Sequence, residues 1–295
     1  MVFRGIFPPA ITPFKENEEI DEDKLKDFLD FLIKRGVHGI FLLGTNGEAP
    51  MLTTEEKKLV MKIAVEHVNG KVPVIVGAGA VSTKEAIELG RFAEKVGADA
   101  IHVVTPYYYP VTQEGLIKHY SKIAMSVEIP VIVYYIPSLT HNRMEIKTLK
   151  KIASFPRIAG LKDSSKDLAW FHAAIVEIKS VRDDFSFLCG SDALIFTYLQ
   201  FGASGAVSAI ANVFPELVVE LYNSFIKGDH EEALMLQDKV LRIRRIFKGY
   251  PYMSAIKAAL KLRGFDFGNL RSPLQSLEKA DLEKLKLELQ MLKLI

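Results

Sequence analysis

Short apolar runs rich in valine and isoleucine alternate along the chain with longer stretches whose apolar positions recur every three or four residues. The short runs cover residues 5–11, 39–43, 72–76, 100–104, 130–134, 158–161, 185–188 and 205–209. They are apolar on both alternations, as strands buried on both faces of a parallel sheet are. The longer stretches 21–35, 54–67, 83–96 and 113–126 have helical periodicity; in the first, Leu25, Phe28, Leu29 and Leu32 form one stripe. Helix starts are marked by Thr53 with Glu56 three residues on, by Ser82-Thr83 and by Thr112.

The runs repeat every roughly 25–35 residues, which is the length of one βα unit. Eight such units close into a barrel or spread into an open doubly wound sheet. Even spacing and the gathering of polar residues at strand ends favour the (β/α)8 TIM barrel, over residues 1–226. Beyond the eighth strand the chain stays helical, at 215–226, 231–247, 252–262 and 277–292. No Gly/Ser linker intervenes, so residues 227–295 are expected to be a C-terminal helical extension packed on the barrel as one structural unit.

Composition narrows the function by exclusion. With 38 basic and 36 acidic residues the net charge is +2, and no basic arm or zinc-finger spacing occurs. Nucleic acid and membrane surfaces are therefore not expected partners. A single cysteine, Cys189, gives no disulfide framework. The start has prolines at 8, 9 and 13 in place of a continuous apolar core, and no run of about 18 apolar residues follows. A cytoplasmic protein is the expectation. The seven histidines form no HxH or HExxH pair, so no metal is expected. GAGAVS at 77–82 lacks the third glycine of a dinucleotide turn, which speaks against a flavin or nicotinamide barrel, and no cofactor is expected. The charge run at 278–286 reads as a solvated helix face.

In a barrel, chemistry sits at the C-terminal strand ends. Those ends carry Thr45, Asn46, Tyr107 to Tyr109, Tyr134, Tyr135, Lys162, Asp163, Ser191, Asp192 and Ser208, and Lys162 is the one lysine directly at such an end. Inside a barrel mouth, desolvation disfavours the ammonium form and leaves neutral amine. That amine can attack a ketone to form an iminium, an electron sink for the adjacent C–C bond. A lysine merely snorkelling to solvent from a loop start is the competing reading. Tyr134 ends the neighbouring strand, where a phenol can move protons on and off the carbinolamine, with Thr45 and Tyr108 relaying them. Tyrosines that only pack, their hydroxyls in water, are the bland alternative. The turn GTNGE at 44–48, Gly47 included, offers exposed backbone N–H groups with the Thr45 hydroxyl and the Asn46 amide as a carboxylate cradle, although any βα turn uses Gly and Asn.

Five motifs in order, GTNGE at 44–48, TPYYYPVTQEGL at 105–116, YYIPSLT at 134–140, GLKDSS at 160–165 and GASGAVSAIANVFP at 202–215, resemble the class I pyruvate-dependent aldolases of the dihydrodipicolinate synthase / N-acetylneuraminate lyase family. The tail, AIKAALKLRG with NLRSPLQSL, resembles that family's ending, so the likeness runs from about Gly5 to Leu277. The resemblance implies Lys162 as the Schiff-base lysine and Tyr134 as general acid/base. It implies Thr45 and Tyr108 as proton relay, the tyrosine crossing from a neighbouring subunit, and Thr45 with Asn46 as holders of the 2-oxo acid carboxylate. A homotetramer, a dimer of dimers, is implied as well.

The departures from that pattern are informative. Synthases of lysine biosynthesis carry an arginine two residues after the proline of the strand-five motif, where it grips the carboxylate of aspartate semialdehyde. Here the position is Leu139, the glycine that follows is replaced by His141, and Asn46 stands where many members have threonine. The expected substrate is therefore a 2-dehydro-3-deoxy sugar acid, such as 2-dehydro-3-deoxygluconate, with Ser164, Ser191, Asp192 and Ser208 reading its hydroxyls. The alternatives are 4-hydroxy-tetrahydrodipicolinate synthase, with Arg143 replacing the missing arginine from a shifted position, N-acetylneuraminate lyase, hydroxy-oxoglutarate aldolase, and a non-catalytic oxo-acid sensor. Retention of Lys162, Tyr134, Thr45 and Tyr108 speaks against the sensor.

Overall fold

The computed structural model describes residues 2–295. Eight strands, β1 (Gly5–Phe7), β2 (Ile40–Leu42), β3 (Val74–Gly77), β4 (Ala100–Val104), β5 (Val131–Tyr135), β6 (Ile158–Asp163), β7 (Ser186–Cys189) and β8 (Gly205–Val207), pair in parallel in the order β1-β8-β7-β6-β5-β4-β3-β2. A parallel bridge, Pro9 to Phe41, closes β1 on β2 into a (β/α)8 barrel. The closure is thin for a local reason. Pro8 and Pro9 have no N–H to donate, so the next donor on this segment is Ala10, whose N–H gives to Phe41 O at 2.9 Å, while Phe41 N donates to Pro8 O at 3.0 Å and His38 N to Ile6 O at 2.9 Å. The same prolines stop β1 at Phe7, short of the 5–11 run that the apolar pattern outlines.

The helices are α1 (Glu22–Lys34), α2 (Thr54–Val68), α3 (Thr83–Val96), α4 (Gln113–Ala124), α5 (Pro137–Thr140), α6 (Ile146–Ala153), α7 (Leu168–Lys179), α8 (Ile195–Gln200), α9 (Pro215–Lys227), α10 (His230–Phe247), α11 (Tyr252–Leu262) and α12 (Lys279–Met291). Thr53 and Glu56 form the capping box of α2, and Ser82 and Thr112 cap α3 and α4. None of the helices is long and apolar enough to cross a membrane.

Two cores follow from the period of two along each strand. Outward residues pack with the helices; inward ones, Phe3, Phe7, Phe41, Ile75, Ala100, Ile132, Leu188 and Val207, fill the barrel. One irregularity decides which side of β6 faces in. Val131 pairs with Ile158 but Ile132 pairs with Gly160, leaving Ala159 as a bulge between the two pairs. A regular ladder from Val131–Ile158 would set Lys162 in phase with outward residues. The extra residue shifts the phase by one and pairs Lys162 with the inward-facing Tyr134.

The C-terminal helices reach back to the barrel mouth. Lys257 on α11 and Glu48, at the end of the GTNGE turn, form a buried ion pair at 2.9 Å that is not aligned as a hydrogen bond. Lys257 also donates to Thr12 O at 2.8 Å and to Asn269 O. Arg271 holds both carboxylate oxygens of Glu56, at 2.6 and 2.8 Å, and its own N–H donates to Glu48 at 3.0 Å. Together these pin residues 48–56 to the last quarter of the chain.

Removing one partner of a buried pair strands the other. Lys257→Ala is expected to cost about 3–5 kcal/mol, whereas Lys118→Ala, at an exposed pair with Glu114, costs at most about 1 kcal/mol. Equal effects in urea unfolding would contradict the buried pair. A pH effect follows as well. Hydrogen bonds from Arg271 hold the Glu56 carboxyl down at about 2. The unfolded chain takes up that proton near its ordinary value of about 4.3. The stabilisation is thus complete above that value and is lost as pH falls through it toward 2. Glu56→Gln lacks this loss, so its unfolding midpoint should vary less with pH below about 5 than the wild type's.

Candidate active site

At the C-terminal ends of the strands lies a cavity of about 340 Å³. Its wall includes Lys162, Tyr134, Thr45, Asn46, Ser164, Ser191 and Asp192. Lys162 lies within β6 and is 4% exposed. Its Nζ stands 3.7 Å from the centroid of the Tyr134 ring and 4.7 Å from that of Phe41. No carboxylate pairs with it among the described residues. The amine is thus held by aromatic faces and leans toward the cavity with no competing anion.

Tyr134 is fixed from behind. His102 lies flat on Phe41, with centroids 3.8 Å apart, and both rings meet Tyr134 edge-on. His102 Nε2 is 2.8 Å from Leu42 O, so that nitrogen carries the proton and donates. Burial holds the His102 imidazole down at about 3, which keeps it neutral. In front, the Tyr134 hydroxyl meets Thr45 Oγ1 at 3.1 Å.

Thr45 and Asn46 open a 3₁₀ turn, Thr45–Gly47. Their N–H groups have no acceptor upstream in that turn, and the Asn46 amide nitrogen is buried without a partner. Three donors without a partner thus belong to residues of the same cavity wall as Lys162, the composition of a carboxylate cradle. Gly47 stands back from the wall: its carbonyl accepts from Thr12 Oγ1 at 2.7 Å and its N–H donates to Gly44 O at 3.1 Å.

The hydroxyl-reading candidates divide. The Ser191 hydroxyl is buried, lines the cavity and has no partner. Ser164 lines it and donates to Gly190 O at 3.3 Å. Ser208 lies behind the wall and gives its hydroxyl to Asp192. Asp192 also accepts from Ile210 N at 3.3 Å, and burial pushes its carboxyl up. Asp163 faces outward, where it accepts from Tyr198 at 2.7 Å and from Ser165 N at 2.8 Å and so shapes the loop after Lys162.

Tyr108 is 80% exposed, in left-handed backbone at φ 77°, and does not line the cavity of its own chain. Leu139, 54% exposed, and Tyr107 line a second, apolar cavity of about 320 Å³ on the far side of Thr45 and Tyr134. Arg143 is exposed and lines neither cavity. Sequence reasoning confined to strand ends missed Lys166, Arg244, Lys248, Tyr250 and Tyr252, all in the wall. The i, i+4 spacing of Arg244 and Lys248 was a signal of a shared face; which end of α10 meets the barrel mouth is a tertiary fact.

A (β/α)8 barrel whose mouth brings a buried lysine, a phenol and a three-donor cradle together is the framework of a carbon–carbon lyase. The chain belongs to the dihydrodipicolinate synthetase family, whose model matches residues 2–292. It is 45% identical, over 97% of its length and 92% of the relative's, to an uncharacterized DapA-like lyase of Halobacterium salinarum. It is 40% identical to the 4-hydroxy-tetrahydrodipicolinate synthase of Methanocaldococcus jannaschii, over 92% and 93% of the two chains. Among solved structures it is similar to YagE, a prophage protein of the dihydrodipicolinic acid synthase family from E. coli K12 in complex with pyruvate. The TM-score there is 0.96, with 34% identity and 100% of both chains covered.

Gly190 marks how tightly the site is drawn. A Cβ there would lie 2.0 Å from Ser164 Oγ, 2.8 Å from Asp163 O and 3.1 Å from Lys162 Cε. Because the Asp163 carbonyl cannot rotate away, Gly190→Ala should shift β6 and lower kcat/KM by at least about tenfold. Wild-type kinetics in that variant would show that the close approach is not needed.

Proposed function

We propose that the protein is a class I, pyruvate-dependent aldolase acting on a 2-dehydro-3-deoxy sugar acid such as 2-dehydro-3-deoxygluconate, releasing or joining pyruvate and an aldehyde. The observation that carries this reading is the buried Lys162 amine against Tyr134, whose hydroxyl is bonded to Thr45. The substrate carboxylate rests on the N–H groups of Thr45 and Asn46, presenting its 2-oxo carbon to Lys162. Attack by the neutral amine gives a carbinolamine. Tyr134, through Thr45, shuttles the protons that expel water and leave an iminium. Tyr134 then takes the proton of the C4 hydroxyl as the C3–C4 bond breaks, the electron pair passing into the iminium. The aldehyde leaves, the enamine is protonated at C3, and water releases pyruvate and Lys162. Condensation is the reverse.

The third member of the relay is proposed to be Tyr108 of a neighbouring copy. Its exposure in left-handed backbone, and the open apolar cavity beside Thr45, support a homotetrameric assembly, a dimer of dimers, as the working form. We likewise propose that residues 227–295 form one unit with the barrel, and that the enzyme works in the cytoplasm on small molecules alone.

A second reading, condensation of pyruvate with aspartate semialdehyde, is favoured by the synthase activity named for the Methanocaldococcus relative. Against it, Leu139 faces the apolar cavity and Arg143 faces solvent, so neither supplies the arginine that the resemblance implies.

Steady-state assays separate the two: cleavage of the sugar acid should exceed condensation with aspartate semialdehyde in kcat/KM, and the opposite order would refute the first reading. Tyr134→Phe keeps the ring against Lys162 and removes the proton carrier. It should lower kcat by about 10²–10⁴-fold with little change in KM. A variant retaining wild-type kcat would remove Tyr134 from the mechanism.

A further inference from the structure

One side chain behind the site is tied to both halves of it. His102 is buried on β4 and does not line the reaction cavity; it lines the apolar cavity on the far side of Thr45 and Tyr134. A substrate held at Lys162 is out of its reach, so whatever it does for the reaction it does through its neighbours. Burial keeps its imidazole neutral.

His102 reaches across a strand. Its Nε2–H donates to Leu42 O, on β2, at 2.8 Å, although β3 lies between β2 and β4. Gly77 of β3 makes the crossing possible. It pairs with His102 in register, and a Cβ there would lie 2.9 Å from His102 Cε1 and Nε2 and 2.4 Å from Leu43 O. The carbonyl that receives the N–H is the last of β2. The next residue, Leu43, is in left-handed backbone at φ 56°, and Gly44 then leads into the Thr45–Gly47 turn. A leucine keeps that conformation only where its surroundings impose it. The same imidazole lies flat on Phe41, centroids 3.8 Å apart, and meets the Tyr134 ring edge-on at 5.8 Å.

A histidine at this place carries a penalty. Its Nδ1 is buried without a partner among the described residues, an acceptor left unmet. An apolar side chain would avoid that, and would suit a cavity lined by Leu43, Val104, Ile136 and Leu139. What the histidine adds is an N–H that bonds Leu42 O while its flat ring faces Phe41 and Tyr134.

We propose that His102 is a positioning residue that ties the phenol of Tyr134 to the carboxylate turn. Its ring sets Tyr134, and its N–H sets the point at which the chain leaves β2 for Thr45. Both partners of the 3.1 Å Tyr134–Thr45 hydrogen bond are thereby referred to one side chain. This rests on the aldolase reading above and adds to it the residue that keeps the proton carrier and its relay in register.

Two substitutions separate the bond from the ring. His102→Phe keeps a flat ring on Phe41 and has no N–H. His102→Gln lacks the ring but carries an amide N–H the same number of bonds from the backbone. If His102→Phe does not fold, His102→Leu takes its place. Amide hydrogen exchange is followed by mass on the peptide containing Leu43–Gly47 and on that containing β7, alongside steady-state condensation of pyruvate with D-glyceraldehyde. His102→Phe should speed exchange of the first peptide about tenfold and leave the second unchanged. It should lower kcat about 10- to 100-fold and raise the KM for pyruvate, while the KM for the aldehyde stays within about threefold of the wild type's. His102→Gln should recover most of both losses. Faster exchange of the turn in His102→Phe, with no turnover by the wild type, would support the positioning role and sink the aldolase reading. Unchanged exchange of the turn, equal acceleration of the turn and β7, or a His102→Gln variant as impaired as His102→Phe would overturn the positioning role.

Discussion

The site depends on one extra residue in β6. Parallel pairing fixes side-chain direction by count alone, and the bulge at Ala159 changes the count by one just before the strand enters the mouth. Lys162 therefore turns from the helix layer to the barrel interior, beside Tyr134 on the next strand. An amine on the outer face would meet the apolar layer between sheet and helices, where Leu161 and Phe187 pack. On the inner face it meets aromatic rings and an open cavity. The rest of the site is arranged around that position: His102 and Phe41 back the phenol, Gly190 lets β7 pass close to Lys162, and Asp163 anchors the outgoing loop from the opposite face.

A second constraint comes from the end of the chain. The turn carrying Thr45 and Asn46 ends in Glu48 in left-handed backbone, a conformation the turn does not favour by itself. The Glu48–Lys257 pair and the clamp of Arg271 on Glu56 and Glu48 hold it from outside the barrel. The same extension brings Arg244, Lys248, Tyr250 and Tyr252 into the cavity wall. The barrel thus supplies Lys162 and Tyr134 to the cavity, and the C-terminal helices both pin the turn that carries Thr45 and Asn46 and add Arg244 and Lys248 to the wall.

Much of this was legible in the residues. The strands were readable because a doubly buried parallel strand is apolar on both alternations, and the helix starts because Thr53, Ser82 and Thr112 cap them with their own side chains. Strand ends were overextended wherever an apolar run continued past the ladder, as at Pro8 and Pro9, which cannot donate. Lys162 and Tyr134 were found because strand order puts their ends side by side. The bulge was not found, since Ala159 looks like any other residue of an apolar run. Ser208 looked like a substrate contact, yet its hydroxyl belongs to Asp192. Lys166, Arg244 and Lys248 escaped because Lys166 stands 78 residues before Arg244 in sequence and joins the other two in the cavity wall only through the packing of α10 on the barrel.

The central claim is that β6 presents Lys162 as the amine that condenses with a 2-oxo acid. The most direct measurement incubates the protein with pyruvate, reduces it with borohydride, and maps the modified peptide by mass. The account expects one pyruvate-derived adduct per chain, on the peptide containing Lys162 and absent from Lys162→Ala. An adduct on another lysine, or none at any pH at which the protein remains folded, would contradict it.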